Sequence, residues 1–204
     1  MTENQQERTR EQRIVDLLHE VGMLKLTPRS GYNFLGSGSE SVAEHSHRTA
    51  IIGYVLARLC GADAAKTAMI CLFHDLGEAR VGDLNYVNQR YSRPEEEEAV
   101  ADAVDGTGLE AEILEFWRAH DRGRQPDAAP EERLARDADQ LDLLLNLKRL
   151  SDLGNPYAMK WFDATEQRLM SDEARSLAQI IRTTDHTDWW YLAAPRKWWI
   201  NREK

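Results

Sequence analysis

The sequence predicts an all-α fold, one helical bundle, on three observations. Apolar residues recur at three- and four-residue spacing through most of the 204-residue chain, the period of a helix with one buried face. No β-rich alternating run stands between Asn-Gly or Asp-Gly turns, where a strand reading would need one. Helix starts and stops are marked by capping residues at regular intervals. The length fits one domain, and 42% hydrophobic residues suffice for a core without disulfides. With no repeat, linker or second composition zone, one domain is expected over 1–204, its core roughly 24–150 and C-terminal helices from 156 to 204 packing on it.

Taken in order, Ile14, Leu17, Leu18 and Val21 define a first helix over about 5–24, and Pro28 closes that segment, since proline offers no N–H to a helix. A Gly/Ser-rich loop, GYNFLGSGSE, leads to Ser41-Val-Ala-Glu44. That pattern is a capping box, in which serine and glutamate side chains satisfy each other's backbone N–H groups. The helix it opens should run to Cys60, where Gly61 is a natural stop. Another helix is expected over 63–78, then a loop through Asp83 and Pro94. EEEEAVADAV and LEAEILEFWRAH give two more, and after the polar break DRGRQPDAAP a leucine-dense helix spans about 131–153. Asn155-Pro156 and Ser171-Asp-Glu open further helices.

Composition narrows the partners. A net charge of −9 argues against long nucleic acid, which needs a basic face. A mononucleotide stays open, because one metal ion and one or two arginines can hold a single phosphate. The polar start MTENQQERTREQR has no apolar h-region, and no run reaches the ~18 apolar residues of a membrane span. A soluble protein is expected. Cys60 and Cys71 both sit in apolar helical patterns and are expected as buried thiols in a reducing cytoplasm.

The chemistry-bearing residues fall in three places. His74-Asp75 ends an apolar helix; neighbours on a helix diverge by about 100°, yet two such ligands can still meet one ion beyond the helix flank. Imidazole nitrogen and carboxylate oxygen both bind divalent first-row metals. His45 lies in the row Val42, His45, Thr49, Ile52, Leu56 and Leu59, the face expected to meet the core, whereas His47 lies off it. Asp137, Asp139 and Asp142 open the leucine-dense helix, and spacing leaves all three open as ligands. Glu78, four residues after His74, projects from the same face of the expected helix, and Asp83 follows Gly82 in the loop.

The order SVAEHSHRTA, CLFHDLGEARVGD, RDADQLDLLL resembles the HD-superfamily 5′-deoxynucleotidases over roughly residues 24–150. The resemblance implies His45, His74, Asp75 and Asp139 as ligands of one divalent cation (Mn²⁺, Co²⁺, Fe²⁺ or Zn²⁺, with Mg²⁺ among the alternatives), and it selects Asp139 over its neighbours. It further implies Glu78 and Asp83 at the reacting phosphate, Glu78 as general acid/base, Arg29 as a phosphate contact, and a homodimer. Binuclear relatives carry extra histidines between the pair and the last aspartate, where this chain has only His120. The family's tryptophan beside the arginine is absent; Tyr32 and Phe34 are the nearest aromatics, and Tyr32 is taken as the substrate contact.

Two neutral histidines, two aspartates and one dication sum to zero, so ionised Glu78 and Asp83 would make the site hostile to a phosphate dianion. Arg29 offsets one charge, and a protonated Glu78 removes the other. The expected substrate is a small nucleotide, cleaved as a (2′-deoxy)nucleoside 5′-monophosphate. The alternatives are a phosphohydrolase for nucleoside triphosphates or cyclic nucleotides, and a non-catalytic metal-binding scaffold. GSGSES lacks the Gly-Lys-Ser/Thr of a phosphate-binding loop. Trp189, Trp190, Trp198 and Trp199 are read as a core-covering flap or a dimer contact.

Overall fold

The computed structural model describes residues 8–191. Eleven α-helices and two short 3-10 turns follow one another, with no β-strand among the described residues. In chain order the helices are α1 (Arg10–Val21), α2 (Val42–Cys60), α3 (Ala64–Phe73), α4 (Glu78–Val81), α5 (Tyr86–Tyr91) and α6 (Glu96–Val104). They continue with α7 (Glu110–Arg122), α8 (Pro130–Asp152), α9 (Ala158–Glu166), α10 (Asp172–Thr183) and α11 (Asp188–Tyr191). No helix among the described residues is long and apolar enough to cross a membrane.

The centre is α8, packed on by α2, α3, α7, α9 and α10. Leu134, Leu141, Leu144, Leu147 and Leu150 are all buried along it, each side chain stabilising the fold by about 1.5–3 kcal/mol through removal from water. α2 lies across α3 and α8, and Gly53 makes the closest approach possible. A Cβ at that position would stand 2.6 Å from Cys71 Sγ, 3.3 Å from Thr67 Cγ2 and 3.6 Å from the Ala138 Cβ. A second, smaller core joins Leu17, Leu24, Val42, Leu76, Val100 and Val104 beneath α1 and α6.

The capping signals act as the sequence indicates. Ser41 Oγ accepts from Glu44 N at 3.2 Å while Glu44 Oε2 accepts from Ser41 N at 2.7 Å, a reciprocal cap that typically contributes about 1 kcal/mol. Gly61 stops α2 in the left-handed conformation at φ 73°. Asn155 Oδ1 accepts from the backbone N–H groups of Tyr157 and Ala158 at the start of α9.

Several expectations need correction. The helix expected over 63–78 ends at Phe73. His74 Nδ1 takes the Cys71 carbonyl at 2.7 Å, the acceptor a continued helix would offer to the Asp75 N–H. The chain then tightens into i→i+3 turns, Leu76 N to Phe73 O at 3.1 Å and Glu78 N to Asp75 O at 3.1 Å. At three residues per turn, positions i and i+3 eclipse, so Glu78 aligns with Asp75 rather than with His74. Leu59 is 58% exposed, outside the buried row of Val42, His45, Thr49 and Leu56. Cys60 is exposed as well, leaving Cys71 as the buried thiol. Trp189 is 78% exposed, and Trp198 and Trp199 lie outside the described residues.

Candidate active site

Three segments deliver four donor atoms to one point. α2 contributes His45, the turn after α3 contributes His74 and Asp75, and α8 contributes Asp139. His45 Nε2 stands 3.3 Å from His74 Nε2, 3.3 Å from Asp139 Oδ1 and 3.6 Å from Asp75 Oδ2. His74 Nε2 lies 3.1 Å from the same Asp75 oxygen. Donors bonded to one ion at about 2.0–2.2 Å lie about 3–3.5 Å from one another, close to these separations. His45, His74 and Asp139 form a cluster able to hold a metal ion.

The neighbours of these groups fit a cation as well. His45 Nδ1 faces Asp142 Oδ2 at 2.7 Å, and His74 Nδ1 donates to a backbone carbonyl. Each imidazole therefore turns its Nε2 lone pair toward the other when neutral, a repulsive arrangement unless a positive charge lies between. Hydrogen bonds that fix the outer nitrogen are the usual support of a metal-binding histidine. Without an ion, burial and Arg29 would lower the His45 pKa, but hydrogen bonds to Asp139 and Asp142 outweigh both and push it up to about 9. A proton there answers the same deficit of positive charge. Burial would raise Asp75, yet His74, Arg29 and His45 hold it well below the usual carboxylate range.

The three aspartates of α8 separate by direction. Asp139 turns to the donor cluster; Asp142, one turn on, also accepts from Arg48 Nε at 2.5 Å. Asp137 points away and is fully buried, accepting from Met170 N, Ser171 N and Ser171 Oγ at 2.6–2.8 Å. It ties the start of α10 to the central helix.

Glu78 and Asp83 line the same cavity as His74, Asp75 and Asp139, a space of about 720 Å³. Glu78 Oε2 is buried with no hydrogen-bond partner among the described residues. Burial, then the charges of Asp75 and Asp83, push its pKa up to about 10. That shift favours the protonated acid at neutral pH. Asp83 Oδ2 accepts from Ser30 N at 2.7 Å and stands 3.9 Å from Arg29 Nε. Arg29 Nη1 pairs with Asp75 Oδ2 at 3.0 Å, so the guanidinium sits at the cluster's edge.

Tyr32 also lines the cavity, but its hydroxyl is engaged, donating to Glu40 Oε2 at 3.1 Å. Phe34 is 54% exposed and does not line it. Sequence reasoning missed several cavity residues. His120 lies with its ring centroid 4.4 Å from that of His74, and its Nδ1 is 3.4 Å from Arg136 Nη1. Burial, His74 and Arg136 hold the His120 pKa well below normal, which keeps the ring neutral. Arg136 precedes Asp139 by one turn, a spacing that could have suggested a shared face; it forms no ion pair with a carboxylate among the described residues. Trp161, Tyr86, Arg168 and Gln140 complete the far wall, and no sequence signal linked them.

Comparison with known proteins gives a consistent picture. A family model described as HD domain matches residues 21–180. The 5′-deoxynucleotidase HDDC2 of Dictyostelium discoideum is 27% identical over 175 residues, covering 77% of this chain and 90% of that protein. A conserved hypothetical protein from Pyrococcus furiosus has a similar structure, with TM-score 0.66 and 28% identity over 83% of this chain and 99% of its own. A predicted metal-dependent phosphohydrolase from Magnetospirillum magnetotacticum shares the fold at TM-score 0.62 and 22% identity, covering 85% of this chain and 91% of its own.

Proposed function

Since this chain belongs to the HD domain family, we propose that it is a metal-dependent phosphohydrolase that cleaves nucleoside 5′-monophosphates, the 2′-deoxy ones by preference, to nucleoside and phosphate. The observation that carries the reading is a buried carboxyl oxygen without a hydrogen-bond partner, on Glu78, in one cavity with His74, Asp75 and Asp139 of the donor cluster. A structural ion needs no acid beside it. The similarity to a 5′-deoxynucleotidase supports the choice of substrate.

A divalent cation in this ligand set would supply Lewis acidity toward the phosphoryl oxygens and the attacking water. The residues do the rest. Arg29, oriented by Asp83 and freed from Asp75 as that carboxylate takes up its metal role, holds a phosphoryl oxygen by guanidinium hydrogen bonds. Arg136, whose pKa burial lowers and Asp139 only partly restores, offers a second cation without a carboxylate of its own. As the water oxygen bonds to phosphorus and the ester P–O bond breaks, Glu78 gives its proton to the departing sugar oxygen. The water's proton leaves with the phosphate. Tyr32 borders the sugar, and its engaged hydroxyl leaves only ring edge to face C2′. The chain is expected to act as a cytoplasmic homodimer, in keeping with the exposed row Ile51, Tyr54, Val55 and Leu59 on α2.

Release of product (phosphate, polyphosphate or ring-opened monophosphate, separated chromatographically) from mono-, tri- and cyclic nucleotides, each tested with Mn²⁺, Co²⁺, Fe²⁺, Zn²⁺ and Mg²⁺, tests the reading. Turnover of monophosphates with the others inert is the expected result. Preferential release from triphosphates or cyclic nucleotides would replace the substrate, and no release from any would replace the enzyme with a scaffold.

A further inference from the structure

The cavity is larger than a phosphoryl group requires, and its wall away from the donor cluster has a different chemistry. Tyr86 of α5 and Trp161 of α9 meet edge to face, ring centroids 6.2 Å apart. The Arg168 guanidinium carbon lies 4.9 Å over the Tyr86 ring, and Arg168 Nη1 donates to the Tyr86 hydroxyl. All three line the cavity, with Gln140 and Gly31 between them and the metal end. Gly31 is there for space: a Cβ would come within 2.7 Å of Trp161 Cη2. Two residues before it, Arg29 reaches Asp75. One short loop therefore touches both the charged end and the aromatic end.

Three features set this wall apart from ordinary core packing. Tyr86 is 52% exposed, so its ring is not there to fill the interior. Arg168 forms no ion pair with a carboxylate among the described residues, in a chain of net charge −9 where carboxylates abound. Gln140 Nε2 donates to Asp139 Oδ2 at 2.9 Å, while its Oε1 receives Arg168 Nη1 at 3.5 Å. The free oxygen of a candidate metal ligand is thus joined through one amide to the arginine of the aromatic wall. Two aromatic rings and a guanidinium plane without a carboxylate partner are the groups on which planar heterocycles stack.

We propose that Tyr86, Trp161 and Arg168, held in register by Gln140, form a subsite for a nucleobase. This rests on the nucleotide reading above and extends it: the phosphoryl group lies at the donor cluster, and the base stacks on the far wall. The subsite separates nucleotides from base-free sugar phosphates, which share the reacting ester.

The test uses the full-length, metal-loaded protein and two phosphomonoesters, dAMP and 2-deoxyribose 5-phosphate. Tyr86→Ala should raise KM for dAMP about tenfold, on the scale of base–aromatic stacking. It should leave KM for the sugar phosphate and kcat for both within about twofold. Tyr86→Phe keeps the ring and should restore most of the loss. Trp161→Ala should act alike, but Trp161 also packs on the core, so the exposed Tyr86 carries the decision. Equal KM changes for both substrates would overturn the subsite, as would a wild-type enzyme equally fast on both. Calorimetry with 2′-deoxyadenosine, which has no ester to cleave, reads the same wall independently. Nucleoside binding weakened by Tyr86→Ala supports the subsite even if no nucleotide is hydrolysed, an outcome that would sink the phosphatase reading alone. Nucleoside binding unaffected by Tyr86→Ala would remove the subsite and leave that reading standing.

Discussion

The two ends of the cavity are built to different standards. At the donor end, His45 and His74 are 1% and 6% exposed, sit on or beside helices that pack heavily against α8, and have their outer nitrogens already bonded. At the far end, α5 is six residues long, and Tyr86 is 52% exposed. Buried, fully bonded ligands lose little freedom when an ion arrives, which is what positioning for chemistry requires. A thin, exposed aromatic wall can shift to accept different rings. The difference teaches that the fold spends its rigidity where the bond breaks.

The most damaging changes should therefore fall at the donor end. His74→Ala and Asp75→Ala each remove a proposed ligand and should abolish both bound metal and turnover. Elemental analysis of the wild type should give one tightly held ion per chain. Two ions would overturn the single-site reading and point to His120 as a ligand for the second.

Next comes Glu78→Gln, which leaves the ligands in place. It should retain the metal and lose about 10²–10⁴-fold in kcat, the usual contribution of a general acid. The pH profile sharpens this. Glu78 has its pKa raised to about 10 by burial and then by Asp75 and Asp83, so the wild-type rate should fall as pH rises toward that value. A cation on Asp75 offsets one of those charges and moves the fall somewhat lower. Glu78→Gln should lack this alkaline limb; an unchanged profile would remove the acid role. Stability also falls as pH rises, but here the carboxyl is a cost rather than a gain. A raised folded pKa gives stability that is fully present below the unfolded value near 4.5 and lost as pH rises through the folded one. At pH 8, where the unfolded carboxyl is ionised and the folded one is held toward its acid form, the variant should melt above the wild type.

Asp142→Asn probes the layer behind the ligands. It leaves one side-chain acceptor where His45 Nδ1 and Arg48 Nε now have one each, and removes the negative charge that both face. Metal affinity should fall by about 10–100-fold, as for other supporting residues, with kcat at saturating metal nearly unchanged. Equal affinity in a competition titration would mean that Asp142 serves α2–α8 packing alone.

The smallest effect belongs to the sugar. With its hydroxyl engaged by Glu40, Tyr32 can discriminate against a 2′-hydroxyl only by shape, about 10–100-fold in kcat/KM. Paired kinetics on dAMP and AMP, with Tyr32→Trp alongside, measure it. Equal rates on the two sugars would leave a nucleotidase without the deoxy preference.

What the sequence disclosed, and what it concealed, follows from distance along the chain. Helix existence and caps are local, so Ser41–Glu44, Gly61 and Asn155 were legible before any coordinates. The break at Phe73 was not, because the competitor for the Cys71 carbonyl is a histidine side chain whose ring must first be placed. His45, His74, Asp75 and Asp139 were readable as a set only through family resemblance, since periodicity could not choose among the α8 aspartates. Their directions are settled by partners far off in sequence: Ser171 for Asp137, Arg48 for Asp142. The Tyr86–Trp161–Arg168 wall joins segments some eighty residues apart with no shared pattern, and only the folded chain brings it to light.

Gly53 gives the donor end a gauge. It lies two turns beyond His45 on α2, against Cys71 three residues before His74 and against Ala138 beside Asp139. The three ligand-bearing segments therefore touch at one point, and the missing side chain fixes how near they come. The spacing of the imidazoles should therefore respond to hydrocarbon packing at this contact. A methyl at this position would spread the segments and move the preference toward larger cations, with every ligand still in place.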